Sequence, residues 1–261
     1  MNMIESLQGV LNFDGCQVST FRGNGIGKIG TTGFVLGLVA GIHASAFIFS
    51  FAVVFFIQKY DVLVSIMHWS IYMTLLCTFH FLEFFITAIQ QPSIVSYDSY
   101  IVNHSASYTL AAILSWIEYW VELHFLGPTK HQWILIIAGL ALVLGGQLMR
   151  SMAMWTCGEN FAHHIMVEKK SSHVLIKHGL YAWFRHPSYF GWFYWSIGTQ
   201  ILLCNPLCII FYAYASWSFF NSRIPYEESL LINFYGDEYV EYMKHTVVGI
   251  PFIKSRSRRS E

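Results

Sequence analysis

Two short stretches hold most of the side chains that could do chemistry. The first is Trp183-Phe184-Arg185-His186-Pro187-Ser188-Tyr189-Phe190-Gly191-Trp192. Pro187 disfavours helix at His186 and suits the first turn of a following helix. A helix start presents unpaired N–H groups and the positive end of the helix dipole. With Arg185, His186, Ser188 and Tyr189 gathered there, the stretch could receive an anionic group such as a carboxylate or phosphate. An interfacial aromatic belt with one snorkelling arginine is the plainer reading of the same residues. The second stretch is Arg223-Ile224-Pro225-Tyr226-Glu227-Glu228, where Arg223 and Glu227 stand i,i+4 and share a face if the helix survives Pro225.

Between and before these lie weaker signals. Gly158-Glu159-Asn160-Phe161-Ala162-His163-His164 is a polar cluster whose adjacent histidines point to different faces of a helix, unlike a zinc pair at i,i+4. One of them could wall a polar ligand, and a solvated loop histidine is an equal reading. His173-Val174-Leu175-Ile176-Lys177-His178-Gly179-Leu180-Tyr181 alternates apolar and polar residues, which suits an extended segment. Extended backbone could read the edge of a flat heterocycle, or the segment could be a loop stapled to the membrane surface. No P-loop, HExxH or nucleophile elbow is present, and Gly23-Asn24-Gly25-Ile26-Gly27 follows no strand. Cys204 and Cys208 supply too few ligands for a metal site, so no metal is expected.

The elements that must position these residues are membrane helices. Of 261 residues, 55% are hydrophobic and 11% charged, where soluble domains carry roughly a quarter charged. Residues 1–24 lack the sustained apolar core of a cleaved signal peptide, so the first span would act as an uncleaved insertion signal. Spans are expected at 33–57, 62–90, 108–126 and 133–155, forming an N-terminal region over 1–156. Residues 157–261 would form the catalytic region, with a helical hairpin over 190–220 turning on the lumenal side at Cys204-Asn205-Pro206-Leu207. The expected fold is an all-α integral membrane protein of about six, up to eight, transmembrane helices with a cytosol-facing C-terminal region. Six spans put both termini on one side. Of the 15 Lys and Arg residues, Lys59 and Lys130 alone fall on the other side, as the preference of basic loops for the cytosol requires. That topology places the Asn103-His104-Ser105 sequon in the cytosol, unmodified. The basic tail Lys254, Arg256, Arg258 and Arg259 would touch anionic headgroups, while zero formal charge gives no global field to recruit nucleic acid. Gly33, Gly37 and Gly41 form a small-xxx-small row for close helix packing. His68, His80, Glu83, Glu118, Glu122 and His124 sit at membrane depth; interhelical hydrogen bonding is the favoured role, lining of a substrate cavity the other.

Together these residues resemble the isoprenylcysteine carboxyl methyltransferases. The resemblance runs through Asn160-Phe161 with His163, His173–Ile176, Gly179–Tyr189, Gly191–Gln200, Asn205-Pro206, Glu227-Glu228 and Gly249–Ile253, and more faintly back to His80, Glu83 and Tyr108. It implies S-adenosylmethionine as cofactor, the C-terminal prenylated cysteine of processed CaaX proteins as substrate, and the endoplasmic reticulum membrane as location. It further implies that His173, Val174, Leu175, Ile176 and Tyr181 hold the adenosine part, with Met166 nearby in place of a glutamine. His186, Pro187, Ser188 and Tyr189 would surround the methionine part, Glu227 would close the pocket on the ammonium, and Arg223 would pair with the substrate carboxylate. Ile224-Pro225-Tyr226 replaces a more acidic run. An NADPH-dependent membrane sterol reductase, a phospholipid methyltransferase and a transporter using the embedded His and Glu residues are the rival readings.

Overall fold

The computed structural model describes residues 25–57, 61–102, 105–130, 132–169 and 173–253. Asn103 and His104 of the sequon, and the basic tail from Lys254 onward, lie outside the described residues. The architecture is all-helical: α1 (Ile26–Ile57), α2 (Asp61–Gln90), α3 (Ala106–Leu126), α4 (Trp133–Cys157), α5 (Pro187–Leu202), α6 (Pro206–Tyr235) and the short α7 (Asp237–His245). Among the described residues three stretches are long and apolar enough to cross a membrane, Ile26–Phe56, Val62–Gln90 and Trp133–Asn160. The described residues divide into two compact units, one made of those up to Leu140 with Thr199–Cys208, the other of Ala141–Gly198 with those from Ile209 onward.

In the first unit His80, Glu118 and Glu122 have structural partners. His80 Nδ1 lies 2.9 Å from the Tyr100 carbonyl and its Nε2 3.3 Å from the Tyr108 hydroxyl, linking α2 to α3 and to the turn between them. The small-residue row works only in part: a Cβ on Gly33 would meet the Tyr100 hydroxyl at 2.8 Å, but nothing stands within 4 Å of one on Gly37 or Gly41. Those two glycines therefore mediate no close helix contact among the described residues.

The α5–α6 turn is held by two opposite charges matched to two helix ends. Lys130 is 1% exposed and donates to the carbonyls of Leu203 (3.3 Å) and Cys204 (2.9 Å) and to Asn205 Oδ1 (2.8 Å), with Glu122 at 2.6 Å. A cation there satisfies orphan carbonyls and favours the negative end of α5. Glu118 does the converse, accepting from the amides of Leu207 (2.7 Å) and Cys208 (2.8 Å) at the start of α6. Pro206 begins that helix, where its missing N–H costs nothing, and Asn205 donates to the Ser115 carbonyl at 3.0 Å. Glu118→Gln keeps one acceptor oxygen and loses the charge; the thermal midpoint in detergent should fall by the equivalent of about 0.5–2 kcal/mol, the range for a lost N-cap.

Candidate functional site

In the second unit α4 and α5 cross at a pair of glycines. A Cβ on Gly146 would stand 2.6 Å from the Gly191 carbonyl and 2.7 Å from the Trp195 amide; one on Gly191 would stand 2.6 Å from the Gly146 carbonyl and 2.7 Å from the Arg150 amide. The backbones touch, and this closeness brings Arg150, one turn beyond Gly146, to Ser188 in the first turn of α5: Nη1 donates to Ser188 Oγ at 3.1 Å. Arg150 and Ser188 are both buried.

The chain between these helices builds one wall of a cleft. Asn160 Oδ1 accepts the Val174 amide at 3.0 Å, fastening the end of α4 to the stretch from His173 to Lys177, which is without helix as its alternation suggested. Gly179 turns the chain at φ 60°, against Thr156, into a 3-10 turn over Gly179–Ala182. That turn carries Tyr181, whose hydroxyl reaches the Ala153 carbonyl at 3.4 Å and whose own carbonyl accepts Tyr242 Oη at 2.6 Å. Burial, with Cys157, Tyr242 and Glu227 close by, pushes the Tyr181 hydroxyl well above its ordinary range, so it stays neutral.

Arg185 does not wait for an anionic ligand. Its Nε donates to Glu228 Oε1 at 2.8 Å, and its Nη1 donates to the carbonyls of Thr246 and Met243. Both members of the pair are buried, Glu228 completely. The anion-receiving role that its place at a helix start suggested is therefore corrected: Arg185 ties the loop to α6 and to the segment after α7. Burial would raise the Glu228 carboxyl, but the nearby His186 and Arg185 outweigh it and hold the carboxyl below the ordinary range. His186 Nε2 stands 3.5 Å from Glu228 Oε1, longer than a good hydrogen bond.

Helix α6 runs unbroken through Pro225 to Tyr235, so the face that carries Arg223 and Glu227 survives the proline. Between them stands Tyr189: Arg223 Nε donates to its hydroxyl at 2.9 Å, and the hydroxyl donates to Glu227 Oε2 at 2.5 Å. Arg223 also donates from Nη2 to the His163 carbonyl at 2.7 Å, and its guanidinium lies 5.4 Å from the Tyr189 ring centroid and 5.5 Å from that of Phe219.

Met166, His173, Val174, Leu175, Ile176, Tyr181, His186, Ser188, Tyr189 and Glu227 all line a single cleft, together with His164 and Arg185. Pro187 is not among its lining residues, and it serves instead as the first residue of α5. Arg223 is likewise off the lining and meets the cleft through Tyr189. Sequence reasoning missed Leu230, Leu231, Phe234, Tyr235, Tyr239 and Tyr242, which complete the wall. The signal was available: Glu227, Leu230, Leu231 and Phe234 fall at i, i+3, i+4 and i+7, one helical face, once the helix is carried past Pro225. In this wall two buried polar atoms, His186 Nε2 and the Tyr239 hydroxyl, find no hydrogen-bond partner among the described residues, and neither does Oε2 of Glu228, which is off the lining.

Comparison with known proteins agrees with this geometry. Residues 138–233 match the profile of the Isoprenylcysteine carboxyl methyltransferase (ICMT) family, the stretch that builds most of the cleft. The chain is 51% identical over 183 residues to the Protein-S-isoprenylcysteine O-methyltransferase of Tribolium castaneum, a match covering 70% of this chain and 65% of that protein. The human protein of that name is 48% identical over 187 residues, 72% of this chain and 66% of its own length. The chain thus spans about two thirds of the length of these relatives. The Saccharomyces cerevisiae counterpart is 38% identical over 242 residues, 89% of this chain and 94% of the yeast protein. A solved structure titled as the eukaryotic intramembrane Ras methyltransferase, isoprenylcysteine carboxyl methyltransferase, superposes with a TM-score of 0.75 at 37% identity, over 98% of this chain and 89% of that one. With a cleft built from the matched residues and the yeast relative covered nearly end to end, this chain belongs to the isoprenylcysteine carboxyl methyltransferase family.

Proposed function

We propose that this chain methylates the C-terminal carboxylate of the prenylated cysteine of processed CaaX proteins, with S-adenosylmethionine as the methyl donor. The observation that carries the reading is the pairing of Arg223 and Glu227 through the Tyr189 hydroxyl at the edge of an aromatic cleft. The cleft's chemistry suits the donor. His186 Nε2 and the Tyr239 hydroxyl are buried polar atoms of the lining in want of partners, Glu227 is a carboxylate fit for an ammonium, and Leu175, Ile176 and Tyr181 offer apolar and aromatic surface for a flat base. On this reading His173, Val174, Leu175, Ile176 and Tyr181, with Met166, hold the adenosine part. His186, Ser188, Tyr189 and Glu227 hold the methionine part.

When bound, S-adenosylmethionine supplies an electrophilic methyl group on a sulfonium. The residues of the chain then have three tasks. A C-terminal carboxyl has a pKa of about 3.5 and is already anionic near neutrality, so no general base is required. Arg223 orients that carboxylate: its two present bonds use two of five N–H groups, leaving capacity for a charge-assisted pair. Tyr181 and Tyr189 present rings to positive charge, and the apolar lining excludes water from a step whose gain is positioning. The six long helices would cross the endoplasmic reticulum membrane, with the cleft and both termini toward the cytosol. The prenyl chain, as apolar as lipid, would enter from the membrane while the charged donor arrives from water.

Arg223→Lys tests the assignment, because lysine keeps the charge and loses the planar fork. Methyl transfer to a prenylcysteine analogue should fall about 10²-fold, the scale of a misplaced reactant, while S-adenosylmethionine binding measured by calorimetry changes little. Equal losses in both would sink the role given to Arg223. Titration with NADPH in parallel discriminates a reductase.

A further inference from the structure

The segment after α7 is a strap laid along the start of α5 and the side of α6. The Val247 amide donates to the Trp183 carbonyl at 3.1 Å and its carbonyl accepts the Arg185 amide at 2.9 Å. Gly249, at φ 83°, lets the backbone pass so close to Phe190 and Phe184 that a Cβ would stand 2.5 Å from one ring and 2.8 Å from the other. One turn along α5, Tyr194 Oη reaches the Gly249 carbonyl at 3.4 Å, and Trp217 of α6 donates to the Pro251 carbonyl at 2.9 Å. The strap thus descends from the cleft end of α5 toward the apolar middle of the hairpin, and Val248 and Ile250 pack inward with Phe193 and Phe220.

Its other face has no partner among the described residues. Trp183 is 73% exposed, Val247 58% and Phe252 89%, which leaves large apolar side chains on loops outside the long helices. On α7, Lys244 is paired with Glu241 at 2.6 Å; the cations of the anchor come from the sequence that follows Phe252, with Lys254, Arg256, Arg258 and Arg259 and a single acidic residue, Glu261. Aromatic residues flanked by cations are the signature of a segment lying at the boundary between headgroups and acyl chains of an anionic leaflet.

We propose that Trp183, Val247 and Phe252 form an interfacial anchor, seated in the anionic leaflet on the cleft side of the membrane. The inference rests on the six-span arrangement given above. It makes the lipid a support of the site: the strap that the leaflet holds is the one whose Thr246 carbonyl holds Arg185.

Depth measurement by spin labelling tests it. The full chain is reconstituted in phosphatidylcholine vesicles with or without phosphatidylserine, carrying a label at Trp183→Cys, Phe252→Cys, Ile210→Cys on α6 or Glu238→Cys on α7, with the signal of the labelled parent chain subtracted. Labels at 183 and 252 should lie roughly 5–10 Å below the headgroups, with 238 in water and 210 deeper. Water-like accessibility at 183 and 252 with 210 immersed overturns the anchor and leaves the spans standing. A water-exposed 210 overturns the span arrangement and the anchor with it. Equal depth in the two lipid mixtures overturns the part assigned to the cations.

Discussion

Gly191→Val is expected to prevent recovery of a folded protein, whereas Gly145→Val, one residue away from the partner glycine in α4, is expected to be tolerated. At Gly191 the new Cβ would stand 2.6 Å from one backbone atom and 2.7 Å from another. Backbone cannot swing aside as a side chain does. Overpacking typically costs about 1–3 kcal/mol and sometimes more; here α4 and α5 must separate along their length, so about 3 kcal/mol is a lower bound on the same scale. Separation also draws Arg150 from Ser188, leaving a buried cation without that bond. At Gly145, by contrast, an added Cβ would find nothing within 4 Å, and losing a glycine from a helix interior is itself mildly favourable. Gly146→Val should behave like Gly191→Val. Yield of monodisperse protein and the thermal midpoint in detergent decide the matter, and equal effects at 145 and 191 would refute a backbone contact.

The second large effect belongs to Glu228. Glu228→Ala removes the carboxylate that faces Arg185 in a buried pair, and breaking such a pair by deleting one partner costs about 3–5 kcal/mol, because the remaining charge is stranded. Arg185 would keep its carbonyl acceptors but lose its carboxylate. The thermal midpoint should drop accordingly, and S-adenosylmethionine binding should weaken because His186 loses its neighbour. The pH dependence supplies an independent sign. The folded Glu228 carboxyl is held below its ordinary value, so its contribution is fully present above the unfolded value of about 4.3 and is lost as pH falls through the folded value. The parent chain should therefore lose stability more steeply than Glu228→Ala as pH drops below about 4.3. Parallel acid profiles of the two proteins would mean that Glu228 is not ionised in the folded state.

What the sequence disclosed follows its length scales. Helices announce themselves over tens of apolar residues, and Pro187 marks a helix start through local backbone chemistry alone. Ser105, read only as part of a sequon, accepts the Tyr108 amide at 3.1 Å, which sets the start of α3 slightly earlier than the apolar run indicates. Arg223 and Glu227 were legible as a helical pair because their spacing is local. Their mediator was not: Tyr189 lies 34 and 38 residues away, and nothing in a tyrosine's neighbours announces which distant groups will share its hydroxyl. The same holds for Arg185, whose composition suggests an anion site while a carboxylate 43 residues on already occupies it. Gly146 and Gly191 look like ordinary glycines in apolar helices, whereas the row at Gly33, Gly37 and Gly41 carries the recognisable spacing and only Gly33 meets a neighbour among the described residues.

The phenol between Arg223 and Glu227 is an insulator. Two opposite charges four residues apart on a helix ordinarily close on each other, and a closed pair would spend both groups. Here the hydroxyl accepts from one and donates to the other. The direction of this short chain is fixed, since a guanidinium can only donate and a carboxylate can only accept. A positive and a negative group therefore stand side by side without cancelling, the arrangement that the proposed function uses to meet a carboxylate and an ammonium.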